Sequence, residues 1–185
     1  MSIEIKLFTY LKASVPLCRN SGVVSTNGTA VTRVSGDNFN ASWVGQPITI
    51  NNVQYVVAAV TNANSLTLFS SAGIQASVTY GYYRIYALVA PQGVTKPYLV
   101  YSKVSPGRDY THDGHSGLSR PRMQVSCYGT TYGSAKAVAV EVIAAMDAWF
   151  SGGVTFAPIA GEQDLYEPDT GLYHVPVDFF IHYAE

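Results

Sequence analysis

His112-Asp113-Gly114-His115 is the densest group of chemically able side chains in the sequence. Two imidazoles and a carboxylate supply three ligands of the kind zinc accepts. The spacing matches no recurring zinc motif, however, and a glycine-rich turn gathers His and Asp for local reasons alone. The expectation is therefore a solvated turn with no metal and no cofactor. Cys127 would need an exposed, electropositive setting to act as a nucleophile. It falls instead on the apolar phase of an alternating segment, Met123-x-Val125-x-Cys127, which predicts a buried, reduced thiol. No serine lies in a G-x-S-x-G turn, and neither G-x-G-x-x-G nor G-x-x-x-x-G-K-[ST] occurs. Asp164, Glu167 and Asp169 resemble a carboxylate pair, yet they flank Pro168 and Gly171 and read as a solvated turn. His174 and His182 share a strand phase but stand too far apart to chelate one ion, at ~3.3 Å per residue. These residues predict no catalytic site, and the His112/His115 loop is the only enzyme alternative.

The scaffold is more legible than the chemistry. From Arg122 to Tyr128 the period is two. After Gly129-Thr130-Thr131-Tyr132-Gly133 the apolar residues Ala135, Val138, Val142, Met146 and Trp149 recur at three and four, the stripe of an amphipathic helix. Thr131 is the predicted N-cap, with Ser134 where a full capping box has Glu or Gln, and Gly152-Gly153 the predicted stop. Residues 2–15 predict a first helix, capped by Ser2, carrying Ile3, Leu7, Tyr10 and Leu11 on one face and ended by Pro16.

Between Asn20 and Tyr83 the only charged residues are Arg33 and Asp37. Asn27-Gly28, Asn51-Asn52 and Thr61–Ser65 punctuate short β-branched runs, which predicts a small all-β barrel or sandwich. Strands follow at 84–89 and 97–104, then a polar loop at 105–117. Leu172–Tyr183 alternates well, and Pro176 marks it as an edge or bulged strand. The predicted fold class is α+β: an antiparallel sheet with two packed helices (residues 1–19 and 84–185), plus an inserted β module at 20–83.

Composition points to association. The chain of 185 residues is 48% hydrophobic and only 12% charged, with net charge −1 and 14 tyrosines. So few charges give little protection against self-association. Arg84, Lys96, Lys103, Arg108, Arg120, Arg122 and Lys136 precede a stretch without any Lys or Arg, which reads either as two solvated faces or as a basic surface of one subunit meeting an acidic surface of the next head to tail. The near-neutral balance argues against sequence-specific nucleic-acid binding. The N-terminus has no signal-peptide pattern, and no apolar run is long enough to cross a membrane.

Arg84–Ser105 (RIYALVAPQGVTKPYLVYSKVS), Ser116–Leu118, Cys127–Ala139 (CYGTTYGSAKAVA) and Asp164–Tyr183 (DLYEPDTGLYHVPVDFFIHY) together resemble the tail-completion, or tail-terminator, proteins of long-tailed bacteriophages. The resemblance implies a non-enzymatic ring, usually hexameric, that caps the tail tube and docks on the head connector while genome DNA passes through its bore. It places the protein in the virion neck, assembled in the host cytoplasm, with no membrane. The 20–83 insert departs from the family pattern and resembles β modules grafted onto other phage structural proteins. Expected interface residues are Arg108, Asp109, His112, Asp113, His115, Arg120 and Arg122 on one side and Asp164, Glu167 and Asp169 on the other. The acidic set would line the bore. The alternative is a carbohydrate- or surface-binding module, with Trp43 and Tyr55 stacking on sugars.

Overall fold

The computed structural model describes all 185 residues and divides them into two compact units. One comprises residues 1–18, 84–92 and 96–185, and the other residues 19–83 and 93–95.

The larger unit begins with α1 (Ile3–Ser14), whose Ile3, Leu7 and Leu11 are buried as the spacing predicts. Ser2 occupies the N-cap position, but its side chain makes no cap hydrogen bond. The smaller unit is a closed six-stranded barrel of β1 (Arg19–Asn27), β2 (Ala30–Gly36), β3 (Pro47–Ile50), β4 (Val53–Asn62), β5 (Ser65–Leu68) and β6 (Ile74–Tyr83). Its order is β1-β2-β5-β4-β3-β6, closed by β1 against β6, so no strand edge is left over. Asn51 and Asn52 both have positive φ, as the twist of a two-residue hairpin demands. In the first hairpin Asn27 pairs with Ala30, so Gly28-Thr29 form the corner, one residue later than Asn-Gly predicts. Val24, Val31, Ile48, Ile50, Val57, Leu66 and Leu68 fill the interior around Trp43, which stacks on Tyr82 with ring centroids 4.3 Å apart. Trp43 is 1% exposed and cannot receive a sugar; Tyr55 is half-buried against the same core. Burying a tryptophan in the small barrel removes more apolar surface from water than any other side chain could.

The larger unit continues with β7 (Ile85–Ala87), β8 (Tyr98–Ser105), β9 (Arg108–Thr111), β10 (Gly114–Ser119), β11 (Arg122–Gly129), α2 (Tyr132–Asp147), β12 (Val154–Phe156), β13 (Ile159–Glu162), β14 (Leu165–Glu167), β15 (Leu172–Phe180) and β16 (His182–Ala184). A six-stranded sheet runs β13-β15-β11-β8-β7, with β14 also on β15, and a four-stranded sheet runs β12-β16-β10-β9. The α+β class holds, with one departure: β7 is parallel to β8. It is also shorter than 84–89, because Leu88 turns to φ +63.

Both helices pack on the main sheet. Val138, Val142, Met146 and Trp149 of the α2 stretch meet Leu99, Met123, Val125, Cys127, Val175, Val177 and Phe179. Each large side chain buried here contributes roughly 1.5–3 kcal/mol. Cys18 and Cys127 are buried free thiols in this core. The α2 start is a full capping box: Ser134 N–H donates to Thr131 Oγ1 and Thr131 N–H to Ser134 Oγ, each at 3.2 Å. Ser134 therefore takes the role usually given to Glu or Gln. The helix ends at Asp147 and Ala148, ahead of Gly152-Gly153, because the Ala148 and Trp149 amides turn back to carbonyls of the last turn.

Pro176 does not mark an edge strand. β15 lies inside the sheet, between β11 and the pair β13 and β14. β13 covers residues 177–179 of β15 and β14 covers 172–174, so Pro176 falls where one outer partner gives way to the other. Its carbonyl accepts from Gln163 N–H on that side, where a missing N–H costs no ladder bond.

Candidate interface surfaces

The 105–117 segment is no polar loop. It is mostly the β9–β10 hairpin, paired as Thr111 with Gly114 and Tyr110 with His115. His112 and Asp113 form its two-residue turn, and Gly114 takes φ +114. Every residue of the hairpin is exposed except Ser119 at its base, including Tyr110 (71%) and Leu118 (54%). Beyond its pairing with β16 at Leu118 and Ser119 the hairpin is a two-stranded ribbon, which is marginal in water. What fixes it is its root. Arg108 Nε donates to Glu185 Oε1 at 3.2 Å, Ser119 Oγ donates to the same oxygen at 2.6 Å, and His115 Nε2 lies 3.8 Å from Glu185 Oε2. The Ser119 hydrogen bond, then the Arg108 charge, hold the Glu185 carboxyl below its usual range. Gly107 at the root lies so close to the Arg120 backbone that a Cβ would sit 1.9 Å from the Arg120 carbonyl oxygen. No three His, Cys, Asp or Glu side chains converge there or elsewhere to hold a metal ion.

The acidic residues lie on and beside β14, which pairs with β15 of the main sheet. Asp164 accepts from Lys136 Nζ at 3.1 Å and from Tyr132 Oη at 3.0 Å, and these bonds lower its pKa. Glu167 accepts from Thr170 Oγ1 at 3.1 Å and lies 3.2 Å from His174 Nδ1. Asp169 is exposed in the turn that follows. Tyr166, Tyr173 and Tyr132 form a ring cluster along this rim, with centroids 5.1 and 6.2 Å apart. Tyrosine-rich, half-exposed surface of this kind is typical of protein interfaces.

Several of the charged residues pair within the unit. Lys136 bridges to Glu162 and Asp164, Arg122 to Asp178, Arg108 to Glu185 and Lys103 to Glu4. Arg84 is 6% exposed and donates to the carbonyls of Leu17 and Lys96. Of the predicted site residues, Arg108 and His115 meet through Glu185, while Arg122 is committed to Asp178 on the main sheet. Arg120 is exposed, and its charge joins burial in lowering the His182 pKa.

His174 is partly buried. It stacks on Tyr128 at 4.3 Å, and Tyr128 in turn on Tyr98 at 4.8 Å, across three neighbouring strands. Burial pushes the Tyr128 hydroxyl up to about 12 and lowers the His174 pKa against the opposing pull of Glu167.

A family model described as tail completion protein gp17 matches residues 67–184, which spans β5 to β16. The chain belongs to that family. It is thus a structural protein of a bacteriophage-type virion. Among solved structures, one chain of the virion of a native gene transfer agent particle is similar at 15% identity and a TM-score of 0.46. That match covers 55% of this chain and 79% of that one. No curated protein matches the chain. The matched residues take in both candidate surfaces, the hairpin and the β14 rim. Glu185, Asp178 and Lys136, which fix the charged residues of these surfaces, were missed as site residues. Their only sequence signal is a register between strands far apart in the chain, which composition does not reveal.

Proposed function

We propose that this family member is a ring-forming tail terminator. In this reading copies of the chain close into a hexameric ring that caps the tail tube and docks on the head connector, and genome DNA passes through the bore without sequence-specific contact. The protein acts as a scaffold and not as an enzyme. Residues 1–19 and 84–185 form the ring core, and residues 20–83 are an insert that decorates the ring or grips a neighbouring neck protein. Assembly takes place in the host cytoplasm.

The observation that carries association is the β9–β10 hairpin, which pairs with β16 only at Leu118 and Ser119 and leaves Tyr110 and Leu118 exposed. Ordering its outer part costs conformational entropy that the contacts at its root offset only in part. A neighbouring subunit would cover it, and a heterologous contact repeated around an axis closes a ring. Exposed Phe156, Ile159 and Phe180 beside β12 and β13 add apolar surface for the same purpose. Ion pairs within the subunit leave charge a minor part in this contact. The test is the double variant Tyr110→Ser/Leu118→Ser, checked by thermal unfolding and then by light scattering. An unchanged melting temperature with loss of rings supports the proposal; rings that persist overturn the role of the hairpin.

A further inference from the structure

The barrel carries a surface feature that ring formation does not use. A depression of about 380 Å³ lies on its outer wall across β1, β6 and β3. Its floor contains Gly22 and Gly81. A Cβ on Gly81 would fall 2.5–2.9 Å from the Tyr83 ring, so the absence of a side chain lets that ring lie against the strand. Tyr83 is half-buried in this position and lines the depression as a flat apolar surface.

Around it stand alcohols and an amide: Ser21, Thr49, Thr79 and Asn52. Each hydroxyl both donates and accepts, and an amide offers both functions at fixed geometry. The Arg19 guanidinium completes the lining, and the Asp37 carboxylate nearby accepts from the Ser21 amide at 2.8 Å. An aromatic face among alcohols fits a pyranose ring, which presents C–H groups on one side and hydroxyls at its edge. A planar guanidinium at the end of that surface fits a carboxylate in two parallel bonds.

We propose that this depression is a binding site for an acidic saccharide, a pyranose bearing a carboxylate. The sugar ring lies on Tyr83, its hydroxyls exchange hydrogen bonds with Ser21, Thr49 and Thr79, and its carboxylate meets Arg19. Trp43, named in the sugar-stacking alternative, is sealed in the core; the platform is the half-buried Tyr83 beside Gly81. The site is independent of ring formation and needs only the folded barrel.

The experiment uses the full chain with methyl glucuronoside and methyl glucoside as probes, followed by saturation-transfer NMR and titration. The expected result is binding of the uronoside with Kd on the order of 1 mM, ordinary for one small sugar. The neutral glucoside should bind about tenfold more weakly, and Arg19→Gln should remove that difference, since charge-assisted bonds are about twice as strong as neutral ones. Thr79→Val, at an exposed position, should weaken both sugars a few-fold while the melting temperature stays unchanged. Absence of transfer to either sugar overturns the site. Equal affinity for the two sugars, or full binding by Arg19→Gln, overturns its acidic specificity.

Discussion

Arg122 and Asp178 test whether the charged residues of the main unit hold the subunit or join subunits. Asp178 is 8% exposed and accepts from Arg122 and from Gln124 Nε2 at 3.1 Å. Arg122 keeps a side chain 43% exposed. The two partners should therefore respond unequally to loss of the other. Arg122→Met leaves a buried carboxylate with one neutral donor, which should cost about 2 kcal/mol. Asp178→Ala leaves a guanidinium that water reaches, and the cost should be nearer 1 kcal/mol once solvent screening is allowed for. A double-mutant cycle should then give a coupling of about 1 kcal/mol. The assay is urea unfolding at neutral pH and moderate salt, with fluorescence and ellipticity compared for coincidence because two compact units need not unfold together. Ring formation by the folded variants should be unaffected. If Arg122→Met were as stable as the parent protein but failed to assemble, the charge would serve neighbouring subunits and the reasoning would be refuted.

Other predictions follow from single features. Thr131→Ala removes half of the capping box at the start of α2 and should cost about 1 kcal/mol by chemical denaturation; Ser134→Ala in the same background should add little. Gly129→Ala would place a Cβ 2.6 Å from the Ala135 amide nitrogen, and strain of roughly 1–3 kcal/mol should lower the melting temperature by several degrees. His174 has a pKa lowered by burial, so the unfolded chain binds the proton more readily than the folded one. Its contribution should be complete above the ordinary histidine pKa and fade as pH falls through it, and His174→Phe should flatten that part of a melting-temperature profile. Burial raises the Cys18 thiol to about 12 and Cys127 well above its usual value, so neither should react with a thiol reagent at pH 8 until denaturant is added. Rapid labelling of the native protein would contradict that.

Local elements were legible because local chemistry decides them. The α2 stripe, the inward phase of Met123, Val125 and Cys127, and the Asn51-Asn52 turn each rest on neighbours in sequence. Long-range partnership was not legible. Pro176 reads as an edge marker, but two short strands divide the outer side of β15 between them and leave the proline at their seam. Gly114 reads as a loop residue, but its positive φ follows the two-residue turn of the β9–β10 hairpin. The charge blocks do not reveal that Arg108, Arg122 and Lys136 find Glu185, Asp178, Glu162 and Asp164 across strand and helix packing. Trp43 reads either as a sugar platform or as a core residue of the small barrel, and the barrel closes around it.

The native mass of the purified protein, measured by light scattering alone and after addition of tail tubes that lack their terminator, tests the central claim most directly. A closed hexameric ring, formed alone or on the tube end, is the predicted result. A protein that stays monomeric in both conditions would contradict the account.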